Sequence, residues 1–267
     1  MAKIEAVILD WAGTAVDFGS QAPVEAFVEG FRQFGVTPTA EEVRGPMGML
    51  KWDHIHTMMQ MPRIRRAWQE IHGRDWTRAD VDAVYRASEA AILRILRDFA
   101  APKPYVLEAV EKLRRRGVKI GSATGYTEEM MAIVAASARV QGYAPDAVVT
   151  PEAVGGRGRP LPYMVFRNLE LLGVSSVSAA IKVGDTAADI AEGRNAGLIS
   201  VGVVEGSSLM GLSWQEYEAL SPACREEVCQ RTRCRYAELG ADYVLENMSE
   251  LEDLIFDLEN RQPAVSA

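Results

Sequence analysis

Short apolar runs alternate with longer amphipathic stretches over the second half of this chain, and a further apolar run lies near its N-terminus. The apolar runs predict strands at residues 4–9, 119–123, 147–150, 180–183, 200–204 and 242–245. Helical periodicity between them predicts helices at residues 104–116, 127–141, 163–172 and 187–196. Strands that alternate with helices of this length are typical of an α/β fold with a doubly wound parallel sheet.

The interval between the first two predicted strands is too long for a simple crossover connection. It contains helix-like stretches at residues 22–34, 50–59, 62–71 and 79–99 and no convincing strand. The segment Ala101-Pro102-Lys103-Pro104 then interrupts the pattern, as a linker does. We therefore predict a helical cap domain at residues 20–99, inserted into a catalytic core formed by residues 1–19 and 100–267. We expect this cap to cover the carboxyl end of the sheet.

Composition and charge exclude several classes of protein. The 267 residues include 48% hydrophobic and 25% charged residues, which is the usual balance of a soluble globular protein. A net charge of −8 disfavours binding to nucleic acid or to an anionic membrane surface, and at first sight it also disfavours an anionic substrate. The sequence shows neither a signal-peptide pattern nor a long apolar run, so we expect a cytoplasmic protein.

Three acidic residues follow predicted strands. Asp10 ends the first strand within Asp10-Trp11-Ala12-Gly13-Thr14, and Asp185 and Asp189 follow the fourth strand. Ligands of doubly wound sheets bind beyond the carboxyl ends of the strands. A carboxylate at that edge can attack phosphorus or hold Mg²⁺, a hard cation that prefers oxygen ligands. Taken singly, these residues also suit a turn or a helix cap, so that interpretation stays open.

Two other segments suit the binding of an anion. Thr124-Gly125 follows the second strand and offers a hydroxyl and a backbone N–H. Arg159 lies before Pro160 and can stabilise charge on a phosphoryl group. Arg157 is an alternative for this role, and either arginine can instead be an ordinary surface residue. We prefer Arg159 because it directly precedes the proline.

Together these motifs resemble, in order and spacing, the haloacid dehalogenase superfamily of Asp-based phosphotransferases. The resemblance implies a Rossmann-like core with Asp10 as nucleophile and Thr124 as a phosphate-binding residue. It also places Arg159 where many members have lysine, and Asp185 and Asp189 around a bound Mg²⁺.

Two residues distinguish this sequence from the phosphatases of that superfamily. Those enzymes usually carry a second Asp two residues after the nucleophile, whereas this chain has Ala12, whose side chain cannot transfer a proton. Lys51 follows a Gly- and Met-rich segment, residues 45–50, in the predicted cap. Apolar surroundings lower the pKa of a lysine, and a neutral amine can form a Schiff base with an aldehyde. A solvated lysine on a helix surface is the alternative.

With these features the chain resembles, from about residue 4 to about residue 252, the phosphonoacetaldehyde hydrolase (phosphonatase) family. The resemblance implies cleavage of a C–P bond in the degradation of 2-aminoethylphosphonate, through an imine on Lys51 and an aspartyl-phosphate on Asp10. It implies Mg²⁺ ligation by Asp10, the Ala12 carbonyl and Asp185, with Asp189 in the outer sphere. It also implies that Met47, His54 and Tyr126 line or assist the site, and that two copies dimerise through the cap. For His54 we expect proton transfer through water, with a structural histidine as the alternative.

Two competing functions stay open at this point. The first is an ordinary capped phosphatase or phosphomutase of the same superfamily, which Ala12 disfavours. The second is a catalytically silent phosphate-binding module, which the presence of both Asp10 and Asp185 disfavours.

Overall fold

The protein is described here from a computed structural model, which covers residues 3–260. Its centre is a six-stranded parallel sheet with the strand order β3-β2-β1-β4-β5-β6. This order is that of a Rossmann-type doubly wound sheet, so the predicted fold class is confirmed. The strands are β1 (Ala6–Leu9), β2 (Lys119–Ala123), β3 (Ala147–Val149), β4 (Ala180–Gly184), β5 (Ile199–Val203) and β6 (Tyr243–Leu245).

Helices cover both faces of this sheet and fill the interval between β1 and β2. The first five helices of this interval are α1 (Gln21–Arg32), α2 (Ala40–Arg44), α3 (Lys51–Gln60), α4 (Pro62–His72) and α5 (Arg78–Ile95). The later helices are α6 (Val106–Arg115), α7 (Glu128–Val140), α8 (Tyr163–Leu172), α9 (Ala187–Asn195), α10 (Trp214–Ala219), α11 (Pro222–Leu239) and α12 (Leu251–Asn260).

Strand β1 fixes the position of the site. All four of its residues are buried, as expected for a central strand covered on both faces. Leu9 is in register with Ser122 of β2 and with Val183 of β4. Because the three strands are parallel, the residues that follow them come to one edge of the sheet. The sequence therefore folds so that Asp10, Thr124 and Asp185 meet.

Helices α1–α5 enclose a hydrophobic cluster of their own. Fully buried side chains from all five helices meet there, and α1 packs along α5. The largest include Trp68, Phe31 and Ile55. These residues form a core between the five helices.

Within the described part of the chain, four α-helices were not predicted by the periodicity, namely α2, α10, α11 and α12. Helix α11 illustrates the reason. Its buried positions are Cys229, Thr232 and Tyr236, which lie on one face but are not aliphatic residues. A hydrophobic pattern search therefore finds no stripe in this helix.

None of the helices between residues 3 and 260 is both long and apolar enough to traverse a lipid bilayer.

Candidate active site

The loop after β1 brings the Asp10 carboxylate to the edge of the sheet. The Asp10 N–H donates to the Val183 carbonyl at 3.1 Å, which continues the pairing of β1 with β4. The indole N–H of Trp11 donates to Ser122 Oγ at 2.9 Å and ties the loop to β2. Gly13 has a φ of +84°, and a Cβ at this position would lie 2.0 Å from Asp185 Oδ2. Only glycine permits this loop to turn so close to the second carboxylate.

Three buried carboxylates meet behind this loop. Oxygen atoms of Asp10, Asp185 and Asp189 lie within 4.8 Å of one another. Asp185 accepts hydrogen bonds from the Thr14 hydroxyl at 3.2 Å and from the Ser208 N–H at 2.8 Å. Burial and the nearby charge of Asp10 raise the pKa of Asp185 well above its usual range. Carboxylates that are buried side by side need a cation to stay ionised, and their oxygens are the ligands that Mg²⁺ prefers.

Asp189 has a capping role in addition to its place in this cluster. Its carboxylate accepts from the backbone N–H and hydroxyl of Thr186, which completes a capping box at the start of α9. It also accepts from Lys182 Nζ at 2.5 Å. The helix-cap interpretation is therefore correct for Asp189. Its other carboxylate oxygen, Oδ1, pairs with Arg159 and Lys182. Asp185 lies before the helix and does not cap it.

Arg159 lies at the site, and Arg157 lies outside it. The Arg159 guanidinium is buried and donates from Nη2 to Asp10 Oδ1 at 2.7 Å. Burial by itself would lower the pKa of Arg159, but the neighbouring carboxylates, Asp10 foremost, outweigh it and raise that pKa further. Arg157 is exposed and stacks on the Tyr163 ring at 4.0 Å. Of the two arginines, only Arg159 touches Asp10.

One cleft brings together eight of the predicted residues. It lies between the strand ends and the segment that precedes α3. Its predicted lining residues are Asp10, Ala12, Met47, Lys51, Thr124, Gly125, Tyr126 and Arg159, and four others complete it: Ser20, Pro23, Gly48 and Thr186.

The segment before α3 closes over this cleft from the side of the helical interval. A Cβ at Gly48 would lie 2.4 Å from Thr186 Oγ1, and one at Gly125 would lie 3.3 Å from the Met49 carbonyl oxygen. Gly48 has a φ of +89°, so an L side chain at this position would be strained as well as crowded. Glycine therefore lets this segment approach the strand ends closely, and Lys51 lines the same cleft as Asp10.

The Lys51 ammonium lies between two aromatic rings. Its Nζ is 5.0 Å from the Tyr126 ring centre and 5.5 Å from that of Phe27. Burial lowers the pKa of Lys51 to about 8, an effect that Arg159 reinforces and that the Asp10 carboxylate opposes. A substantial fraction of this amine is therefore neutral in mildly alkaline solution.

His54 does not line the cleft. It follows Lys51 on α3, is fully buried, and packs on the Phe27 ring with 4.1 Å between ring centres. Burial, reinforced by the charge of Lys51, lowers its pKa to about 3, although the nearby Val43 carbonyl raises it slightly. Neither ring nitrogen has a partner with hydrogen-bond geometry among the described residues. His54 is thus a neutral ring near neutral pH, and a water-mediated role for it stays a prediction.

Three further charged residues belong to the site and were not predicted from the sequence. Lys182 and Glu192 are fully buried beside Arg159 and Asp189. Lys103 donates to the carbonyls of Gly13 and Glu205, and burial lowers its pKa to about 8. A signal for Lys182 was present, since a lysine inside the otherwise apolar strand β4 must find a buried acid.

The comparison with family models gives the class of protein. Residues 4–197 match the model of the haloacid dehalogenase-like hydrolases. The parallel sheet and the acidic strand ends agree with this match, so the fold and the site define a hydrolase of this class.

Relatives specify the family further. The chain is 48% identical to a phosphonoacetaldehyde hydrolase from Lysinibacillus sphaericus (strain C3-41), over 95% of this chain and 94% of the relative. It is 46% identical, over 97% of its length, to 40% of a bifunctional phosphonoacetaldehyde hydrolase/aminoethylphosphonate transaminase from Clostridioides difficile (strain 630). A crystal structure of a phosphonoacetaldehyde hydrolase-like protein from Oleispira antarctica superimposes with a TM-score of 0.94 at 37% identity, covering 98% of this chain and 96% of that one. The chain therefore belongs to the phosphonoacetaldehyde hydrolase family, as the sequence motifs predicted.

The acidic cluster leads to a prediction about Mg²⁺. We expect Mg²⁺ to raise the Tm of the protein, because a cation relieves the repulsion between the buried carboxylates of Asp10 and Asp185. At about 100 times the dissociation constant the stabilisation amounts to about 2.7 kcal/mol. Thermal unfolding with and without Mg²⁺ measures it. Asp185→Asn should lose the effect, and Asp253→Asn, on the exposed side of α12, should keep it. An equal shift in the wild type and in Asp185→Asn would contradict this prediction.

Proposed function

We propose that this protein hydrolyses the C–P bond of phosphonoacetaldehyde to acetaldehyde and inorganic phosphate, as a step in 2-aminoethylphosphonate degradation. The observation that carries the proposal is the cleft that an amine, Lys51, and a carboxylate, Asp10, line together, with Ala12 in place of a proton donor. The names of the relatives support it. The fusion of a transaminase to the Clostridioides difficile relative supports the pathway.

Lys51 would begin the reaction. Its neutral amine adds to the aldehyde carbon, and loss of water gives a protonated imine. The imine accepts the electron pair of the C–P bond, so the carbon leaves as a neutral enamine and not as a carbanion. The lowered pKa of Lys51 supports this role, because only the unprotonated amine is a nucleophile.

Asp10 would receive the phosphoryl group. One of its carboxylate oxygens forms a bond to phosphorus as the C–P bond breaks, which yields an aspartyl-phosphate and the enamine. The enamine carries no alkoxide that needs a proton, which accounts for Ala12. Arg159, together with Thr124 and the Gly125 N–H at the edge of the cleft, would hold the phosphoryl oxygens.

The donor set fits Mg²⁺, and Asp10, Asp185 and the Ala12 carbonyl would hold it, with Asp189 in the outer sphere. When bound, the ion supplies positive charge that stabilises the phosphoryl oxygens.

In the second half of the reaction the enamine takes up a proton, water hydrolyses the resulting imine on Lys51, and a second water releases phosphate from Asp10. His54 would assist these proton transfers where water reaches its ring.

Helices α1–α5 would act as the cap of this enzyme. The hydrophobic cluster that they enclose supports a separate unit at residues 20–99, and the close approach of Gly48 to Thr186 supports a lid over the site. We also propose that the protein is a cytoplasmic homodimer that associates through this cap. The dimer follows from the family resemblance alone.

A comparison of two substrates tests the function. We expect the enzyme to release phosphate and acetaldehyde in equal amounts from phosphonoacetaldehyde, and to act poorly on 4-nitrophenyl phosphate, because Ala12 cannot protonate an alkoxide. Lys51→Arg should lose about 10³-fold or more in kcat, since a guanidinium does not form the imine. Lys112→Arg, at a half-exposed ion pair with Glu252, is the matched control. Faster turnover of the phosphate ester, independent of Lys51, would indicate the phosphatase alternative.

The dependence of the rate on pH tests the state of Lys51. Because its pKa is about 8 in the folded protein, the neutral fraction grows as pH rises through that value. We expect kcat/KM to fall about tenfold per pH unit below pH 8 and to level off above it. Stopped-flow or coupled assays from about pH 6 to about pH 9 measure this profile. A flat profile, or a rise that continues up to the ordinary range of a lysine pKa, would contradict the assignment.

A further inference from the structure

We propose that Glu192 is a positioning residue that fixes the Arg159 guanidinium in the orientation required for phosphoryl transfer. This inference rests on the proposed function, since it concerns the arginine that would hold the phosphoryl oxygens. It concerns a residue that neither lines the cleft nor belongs to the strand-end motifs.

The guanidinium of Arg159 is held at two points. Its Nε donates to Glu192 Oε2 at 3.0 Å, and its Nη2 donates to Asp10 Oδ1 at 2.7 Å and to the Ala123 carbonyl at 2.5 Å. A planar group bound at Nη2 alone can pivot about that atom. The additional hydrogen bond at Nε fixes the plane of the group. Glu192 thus determines the direction in which the remaining N–H groups point.

Two neighbouring elements hold the Glu192 carboxylate in place. Glu192 follows Asp189 by three residues on α9, so both side chains lie on one face of the helix. Lys182 Nζ from β4 lies 3.7 Å from Glu192 Oε2 and 2.5 Å from Asp189 Oδ1. The Glu192 carboxylate therefore lies between two buried cations, Arg159 and Lys182.

The burial of Glu192 is not explained by a gain in folding stability. It is fully buried, and its Oε1 has no hydrogen-bond partner among the described residues. Burial raises its pKa, which means that the charged form is disfavoured despite the neighbouring cations. A buried ionic group of this kind contributes little to stability compared with well-packed apolar residues. The presence of a buried glutamate at this position is better explained by its contact with Arg159.

The reaction itself requires such an anchor. When Asp10 forms the aspartyl-phosphate it loses its negative charge, and with it much of its attraction for Arg159 Nη2. Glu192 is not consumed and continues to hold Nε. The guanidinium can then pass from Asp10 to the phosphoryl oxygens without a change of orientation. Preorganised donors of this kind stabilise a transition state more than the ground state.

A double-mutant cycle tests this inference with the full-length enzyme and phosphonoacetaldehyde. We expect Glu192→Ala to lower kcat by about 10²-fold while KM changes less than about fivefold, the size expected when one preorganised donor is lost. Glu192→Gln keeps an acceptor for Nε and should recover about tenfold of that loss. In an Arg159→Ala background, Glu192→Ala should cost less than about twofold, because its partner is already absent. Glu170→Gln, at an exposed pair with Arg167, is the control.

Two results would overturn the role of Glu192. One is a kcat of Glu192→Ala within about twofold of the wild type, and the other is full additivity with Arg159→Ala. If Glu192→Ala does not fold, the isosteric Glu192→Gln is compared in the same cycle. If the wild type does not turn over phosphonoacetaldehyde, the proposed function fails, and calorimetric binding of inorganic phosphate replaces kcat. Non-additive weakening by the two substitutions would then still support the positioning role, and additive or absent weakening would overturn it.

Discussion

The central constraint in this protein is the burial of four carboxylates at one edge of a parallel sheet. Asp10, Asp185, Asp189 and Glu192 are all almost completely buried, and three of them, Asp10, Asp189 and Glu192, pair with Arg159. Carboxylates this close cannot all stay ionised without compensating charge. Arg159 and Lys182 supply part of this positive charge. The place where positive charge is still lacking lies beside Asp10 and Asp185, where Mg²⁺ would bind.

The same constraint is compatible with the anionic substrate proposed for this acidic protein. The net charge of −8 is a sum over the whole chain, and it includes acids whose charge is already neutralised within the site. A phosphonate in the cleft would meet Arg159, Lys51 and backbone N–H groups, so the local field opposes the overall sign. The first impression that net charge disfavours an anionic substrate was therefore based on the wrong quantity. Burial of Lys51 lowers the pKa of its amine to about 8, which favours the neutral form that the proposed imine requires.

The convergence of Asp10, Thr124 and Asp185 could be predicted from the sequence because it depends only on strand order and direction. Neighbouring parallel strands that end in polar residues must bring them together, and buried strands are easily recognised from apolar runs. The choice between Arg157 and Arg159 depends on the path of a loop, which periodicity does not describe. Glu192 and Lys182 were missed because each looks ordinary alone, one on a helix and the other in a strand. Their roles become visible only from the side chains that they contact in the folded protein.

The most direct test of this account is to trap the covalent intermediate on Lys51. Wild-type enzyme is mixed with phosphonoacetaldehyde and sodium borohydride, and the digested protein is examined by mass spectrometry. The account predicts an N-ethyl group on the peptide that contains Lys51, with parallel loss of activity and no label in Lys51→Arg. Full activity after this treatment, or the same label in Lys51→Arg, would contradict it.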